Sequence, residues 1–571
     1  MVLGWVAARR SLRCRSGISR RGSREIEQPT GRGLSMLTRR TLLGSAAAAA
    51  TLPLVGPGAS TGANAATPKG IVAMAKQIDD IVGAFDPAES YEFTNNEVCG
   101  NLYRKLVIPD PANVDKLLGD VAEKWEVSKD GSTFTFEIRK GITFESGKPL
   151  TAEDCAFSLQ RVVKLNKTPG FILTQFGLTA DNVEQNIRAT GEYTLQMKVP
   201  VIQATSFVLY CLSATIGCVV EKATVMANQA NNDLGNAWLK THSAGAGSYK
   251  LVEWQASDHI ILQANPHAAI KPKIPRTVIR HVGDVSAQLL LLQKGDTDIA
   301  RDLGSDQLKV IAGKPEFHTT DIAQLTSMYI GMNMGTPELK KVEARQAIKH
   351  AIDYQAIAKN ITPKLWVVWQ SFLPKGIPGA ISDMPFKKDV AKAKELLAKA
   401  GYPNGFSLTL DHFAKSPYQE IAQAIQADLA AVGIKVQLLA GEQKQVISKT
   451  RARTTQLALT TWFPDYLDAN SNAQAFCVST DDTDDTKLKS VAWRYHFLDK
   501  EMSDAVDAAV KELDPKKRLD MYAKIQRDFM DRAPFTFLLQ NAEVSVMQKN
   551  VSGLALGVLP DYTRYAAITK A

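Results

Sequence analysis

The feature that most constrains this chain is a regular exchange of hydrophobic periods between residues 390 and 462. From Val390 to Ala400, the apolar residues Val390, Ala393, Leu396, Leu397 and Ala400 recur at helical spacing. Asp389 is placed to cap the start, Gly401 to end the last turn, and Pro403 to prevent continuation. Phe406, Leu408 and Leu410 then alternate with Ser407 and Thr409, the period of a half-buried strand. Ser416-Pro417-Tyr418-Gln419 predicts a helix start with serine as N-cap, proline at the first helical position and glutamine as capping-box partner. Ile421, Ile425 and Leu429 share one face of that helix, Gly433 stops it, and Ile434, Val436 and Leu438 predict the next strand. A helix over 443–453 and a strand over 456–462 complete the run. Strand, helix, strand, helix, strand is the pattern of a parallel α/β layer with right-handed crossovers.

Ligands of such layers sit beyond the carboxyl ends of the strands. Trp462-Phe-Pro-Asp465-Tyr466 follows directly on the last of them, so Asp465 and its aromatic neighbours are the leading site candidates. A plain turn at Pro464-Asp465 fits the spacing equally well. In the N-terminal half, Thr133–Ile138 alternates as a strand after a Lys129-Asp130-Gly131 turn, Thr151 to Asp154 opens a helix, and 249–254 with 259–262 reads as a hairpin. The architecture is mixed α/β without internal repeats.

Length and charge narrow the function classes. Met36-Leu-Thr-Arg39-Arg40-Thr is followed by a mild, uncharged Ala-rich run that Pro53 breaks, and this ends in Ala63-Asn64-Ala65. A membrane span needs about 20 strongly apolar residues. The segment reads instead as a twin-arginine export signal (36–65) with cleavage after Ala65. Residues 1–35, Arg-rich and ahead of Met36, read as a mis-called start or a disordered prefix. Ten of the 68 basic but only two of the 59 acidic residues precede position 66, so the remainder is nearly neutral at net +1. The basic balance therefore belongs to the leader, and nothing argues for nucleic acid or an anionic membrane as partner. About 500 residues imply two or three domains. Five cysteines remain (Cys99, Cys155, Cys211, Cys218 and Cys477), with Cys211 and Cys218 the nearest pair and at least one thiol necessarily free. Phe207 to Val220 is an apolar run interrupted by Ser213, Thr215 and Gly217, which fits a buried strand or helix.

The stretch Val121 to Asp154, with Trp125, Asp130-Gly131, Phe134, Phe136, Arg139, Gly141, Phe144, Gly147, Pro149 and Ala152-Glu-Asp154, resembles the signature of the peptide-type (family 5: oligopeptide, dipeptide, nickel) solute-binding proteins of ABC importers. Gly245-Ala-Gly247-Ser-Tyr249, Gly331-Met-Asn333, Arg345-Gln-Ala-Ile348 with Ala351-Ile-Asp353, and Ala393 to Tyr402 follow in that family's order. The resemblance implies an α/β, two-lobed periplasmic-binding-protein fold (type II-like, cluster C) with a hinge. Lobe I would comprise 66–107, 240–325 and 535–571, an inserted accessory domain 108–239, and lobe II 326–534. It implies a monomeric, non-enzymatic protein of a Gram-negative periplasm. That protein would have no cofactor, would bind a peptide or small amine-bearing molecule, and would deliver it to the transmembrane subunits of a permease.

By the same resemblance Asp465 takes the position that pairs with a ligand's α-ammonium. A buried ammonium must meet a carboxylate, because an unpaired buried charge costs several kcal/mol, on the order of 3–5. Trp462 and Tyr466 would wall the pocket or pack the core, Asn333 would bond peptide backbone or its own strand, and Tyr91, Glu92 and Phe93 would form the first ligand-facing loop. The segment 411–419 offers only Lys415 as a clamp for a short peptide's carboxylate, and Arg345 reads as a structural ion-pair residue. Nickel or nickel-chelate capture is the alternative within the family. An exported hydrolase is the alternative outside it, but the one Gly-x-Ser-x-Gly (Gly58 to Gly62) lies in the leader and the eight histidines show no metal-ligand spacing.

Overall fold

The alternating segments become one mixed sheet of eleven strands. In chain order these are β1 (Ile71–Lys76), β2 (Tyr249–Gln255), β3 (His259–Ala264), β4 (Arg276–His281), β5 (Ile299–Ala300), β6 (Phe317–Met332), β7 (Trp366–Val368), β8 (Ser407–Phe413), β9 (Lys435–Gly441), β10 (Leu457–Trp462) and β11 (Phe535–Gln548). They lie in the order β2-β3-β4-β1-β5-β11-β6-β10-β8-β9, with β7 pairing on β11. The computed structural model describes residues 67–571 apart from Val82, Ala112 and Lys487. Arg39, Arg40 and the expected cleavage point after Ala65 lie outside the described residues. Among the described residues no helix is long and apolar enough to cross a membrane.

At one end, β10, β8 and β9 pair in parallel, with Leu410 beside both Leu438 and Leu457. The helix Tyr418–Ala430 covers this layer through Ile421, Ile425 and Leu429, all fully buried. Each such side chain contributes about 1.5–3 kcal/mol. The helix Val390–Lys399 starts where Asp389 accepts the Lys392 N–H at 2.9 Å, and ends before Gly401 at φ +91°, a conformation glycine adopts without strain. The start of the next helix departs from expectation. Tyr418 is its first residue, Pro417 occupies the cap position, and no side chain caps it. The Lys415 carbonyl already takes the Tyr418 and Gln419 N–H groups, so the Ser416 hydroxyl has no capping role.

At the other end, β1 runs parallel to β4 and β5, and the β2–β3 hairpin extends the edge as expected. The two ends are joined by β6 and β11, which pair along most of their length in three registers. Residues 317–323 match 548–542, residues 327–328 match 540–539 and residues 329–331 match 537–535, with a slip between Met328 and Tyr329 and a wider break between Ala323 and Ser327. Gln540 fills that break, its amide donating to the Gln324 and Lys375 carbonyls at 2.9 Å each and accepting the Lys375 N–H at 2.9 Å. The two lobes thus share two continuous strands whose pairing is interrupted at two nearby points, the arrangement of a hinge.

A separate four-stranded antiparallel sheet, Ala122–Val127, Thr133–Ile138, Thr194–Lys198 and Ile187–Gly191, packs with the helix Ala152–Leu165. That helix opens where expected, and it does so with a Thr151–Asp154 capping box. The apolar run after Phe207 is a buried helix, Thr205–Ser213, continued by a short turn and strand. All five described cysteines are free and buried, and burial pushes the Cys218 thiol up to about 12. Arg345 is structural but forms no ion pair among the described residues. Its guanidinium donates to the Leu339 and Arg532 carbonyls, and Lys349 donates to those of Met530 and Ala533. Both cations thereby complement the carboxyl end of the helix Pro515–Arg532.

Candidate functional site

Beyond β10 the chain turns sharply. Pro464 has no N–H to extend the ladder, and the turn is pinned from below. The Asp465 N–H donates to Ser471 Oγ at 2.8 Å. Three residues on, Asp468 accepts the Asn470 N–H at the start of the helix Ala469–Cys477 and pairs in a fork with buried Arg518 at 2.6 and 2.9 Å. Asp465 is left half-buried, its carboxylate directed at the other lobe.

What it meets there is Tyr91, whose hydroxyl donates to Asp465 Oδ1 at 2.7 Å across 374 residues of sequence. The Tyr91 loop is held by Asn96, which accepts from Ser90 Oγ at 2.9 Å and donates to the Tyr91 carbonyl at 3.2 Å. Beside this bond, Phe93 of one lobe and Phe463 of the other lie with ring centroids 4.3 Å apart. Ser90, Tyr91, Phe463, Pro464 and Asp465 line a crevice of about 20 Å³, space for about one water. The lobes are therefore closed on each other at this point, and a peptide would enter only by parting them.

The electrostatics are those of a carboxylate short of a partner. Burial pushes the Asp465 pKa up to about 6, although the Tyr91 hydrogen bond and the positive field of Arg494 pull it down. Among the described residues no cation is in contact with it. Burial and Asp465 together raise the Tyr91 phenol. Glu92 is likewise raised by burial and by Asp80, against the pull of Arg451. Lys415, the one cation expected near this segment, donates to Gln443 Oε1 at 3.0 Å. Burial lowers its pKa against the opposing field of Asp79, Asp302 and Asp80.

Of the residues singled out from sequence, Tyr91, Phe93 and Asp465 meet here, and Glu92 stands beside them. The other three lie elsewhere. Trp462 donates its indole N–H to Asn472 Oδ1 at 3.1 Å and packs edge-on against Phe476. Tyr466 is buried 5.5 Å from the Phe207 ring, within the core of the four-stranded sheet's domain. Asn333 closes the end of β6, donating to the Arg453 carbonyl at 3.1 Å and accepting the Gly335 N–H at 2.8 Å. Phe463 was passed over in the sequence although it lies inside the Trp462–Asp465 stretch. Arg494 gave no signal, since nothing local ties it to position 465.

Residues 116–484 match the model of the bacterial extracellular solute-binding proteins, family 5 (middle region). The chain belongs to this family. Family 5 proteins bind solutes and are not enzymes. A similar curated protein is the probable D,D-dipeptide-binding periplasmic protein DdpA of Escherichia coli (strain K12), 26% identical over 86% of this chain and 92% of the relative. Another is the glutathione-binding protein GsiB of Shigella boydii serotype 4 (strain Sb227), 25% identical over 83% and 90%. Among solved structures, the periplasmic binding protein DppA of Helicobacter pylori in complex with the peptide STSA shares the fold. It has a TM-score of 0.73 and 23% identity, covering 88% of this chain and 98% of that one.

Proposed function

We propose that this family 5 protein captures a peptide or other amine-bearing small molecule between its lobes and passes it to the transmembrane subunits of an ABC importer. The observation that carries this is Asp465, a half-buried carboxylate that faces the opposite lobe, is pushed by burial to a pKa of about 6 and, among the described residues, touches no cation. An ammonium placed there would supply the missing charge. Charge-assisted hydrogen bonds from it would fix the ligand's register, and extended backbone would be held by main-chain bonds as in strand addition. Relatives named for dipeptide and glutathione binding support a ligand of this class.

The proposed division is lobe I (66–107, 240–325, 535–571), accessory domain (108–239) and lobe II (326–534), hinged where β6 and β11 change register. We further propose twin-arginine export through Arg39 and Arg40, cleavage after Ala65, and work as a monomer in a Gram-negative periplasm. A thermal-shift panel of peptides and amines tests the central reading. At about 100 times its dissociation constant a ligand adds about 2.7 kcal/mol. Asp465→Ala should abolish that shift and leave the unliganded melt nearly unchanged. A collapsed melt would make Asp465 a fold residue, and an undiminished shift would place the site elsewhere.

A further inference from the structure

The wider break between β6 and β11 sets three residues of one strand, Gln324 to Thr326, against a single residue of the other, Asn541. Lobes joined by two strands rotate most easily where the ladder is broken, because no backbone bond resists there. Here the break is gripped from both sides through one buried residue, Gln324. Its carbonyl accepts the Gln540 amide at 2.9 Å, and Gln540 in turn bonds both backbone groups of Lys375 in lobe II. Its own side-chain amide donates to Glu543 Oε2, and the other oxygen of Glu543 accepts Arg301 Nη2. Arg301 belongs to the frame of lobe I. Its N–H donates to the Ala75 carbonyl of β1 at 3.0 Å, and its guanidinium holds Glu97.

Glu97 lies one turn inside the helix Phe93–Leu102, whose first residue meets Phe463 of the other lobe across the cleft. Direct contacts therefore run from that helix through Glu97, Arg301 and Glu543 to the hinge. Gln324 is bonded through its backbone toward lobe II and through its side chain toward lobe I. A rotation of the lobes must pull one set of bonds away from the other, and a buried carboxylate that loses its donor is left unsatisfied at a cost. We propose that Gln324 and Glu543 form a latch that favours the closed lobe angle before any ligand arrives. A cleft ligand's apparent affinity scales with the fraction of molecules in the competent arrangement, so this pair tunes binding without touching the ligand. The latch rests on the hinge alone and not on Asp465 as the ligand contact.

Double electron–electron resonance on the unliganded full chain reads the lobe angle directly. Spin labels are carried on genetically encoded keto residues, which leaves the native cysteines untouched. Ser286 and Gln419 are suitable positions, both exposed and each following the carboxyl end of a strand, β4 in lobe I and β8 in lobe II. Gln324→Leu, which removes the donor, should move the main distance outward by more than the width of the parent peak. Gln324→Glu, which sets a second carboxylate against Glu543, should move it further. Adding Glu543→Gln to Gln324→Glu remakes the bond with donor and acceptor exchanged, and should return the distance to the parent value. A purely structural role would not be rescued in this way. An unchanged or shorter distance in the single variants, or an outward shift that the double exchange leaves in place, would overturn the proposal. If circular dichroism shows that Gln324→Glu does not fold, Gln324→Leu alone decides by the same criterion. No ligand enters the measurement, so a failed latch leaves the Asp465 site standing.

Discussion

Two carboxylates adjoin the stretch from Tyr91 to Leu102, one buried inside its helix and one half-buried against its loop from the other lobe, and they are handled in opposite ways. Glu97, inside the helix Phe93–Leu102, contacts Lys76, Arg301 and the Tyr565 hydroxyl, and Arg301 reaches on to Glu543. Burial alone would raise its pKa, but Arg301 and Lys76 hold it well below the usual range. Asp465, which the loop before that same helix touches through Tyr91, has among the described residues one neutral donor and no cation in contact with its carboxylate. Its pKa moves the other way. A carboxylate whose cations come from its own chain is part of the fold, whereas one whose counter-charge is withheld is available to a ligand.

The comparison breaks most visibly on mutation. Glu97→Ala leaves Arg301 and Lys76 buried and uncompensated, and should cost about 3–5 kcal/mol in urea denaturation. A loss under about 1 kcal/mol would show that Glu97 is not the anchor described. Asp465→Asn should instead leave denaturation within about 0.5 kcal/mol while weakening an ammonium ligand by about 1.5–3 kcal/mol in calorimetry.

The pH dependence should also be opposite. Asp465 has a folded pKa above its unfolded value, so it binds extra protons in the unliganded fold, and its ionisation lowers stability as pH rises from about 4 to 6. An ammonium ligand needs the ionised form, so affinity should fall toward tenfold per unit as pH drops below about 6, and Asp465→Asn should flatten that profile. Glu97 has a depressed folded pKa. Its stabilising share is present above the unfolded value near 4.5 and is lost as pH falls toward the depressed one. The smallest change, Tyr91→Phe, removes a single hydrogen bond between the lobes, worth about 1 kcal/mol. It should raise the Asp465 titration midpoint in NMR, and an unmoved midpoint would mean the hydroxyl does not reach Asp465 in solution.

Local chemistry was readable wherever neighbours in sequence are neighbours in space. The helix from Val390, its Asp389 cap, the helix start at Thr151 and the parallel strands around Leu410 all rest on spacings of two to four residues. Ser416 went astray because the Lys415 carbonyl, one residue back, took over the capping role. Trp462 and Tyr466 flank the site in sequence but turn into packing against Phe476 and Phe207, because a turn sends successive side chains in different directions.

By itself, then, the sequence determined that a charged residue would stand at the carboxyl end of a parallel layer, since hydrophobic period and a proline after the last strand suffice for that. Only the tertiary structure decided what faces it. The Tyr91 hydroxyl and the Phe93 ring arrive from 370 or more residues away. Contacts made by closing a hinge leave no periodic trace in the chain, because they depend on where two independently folded lobes come to rest.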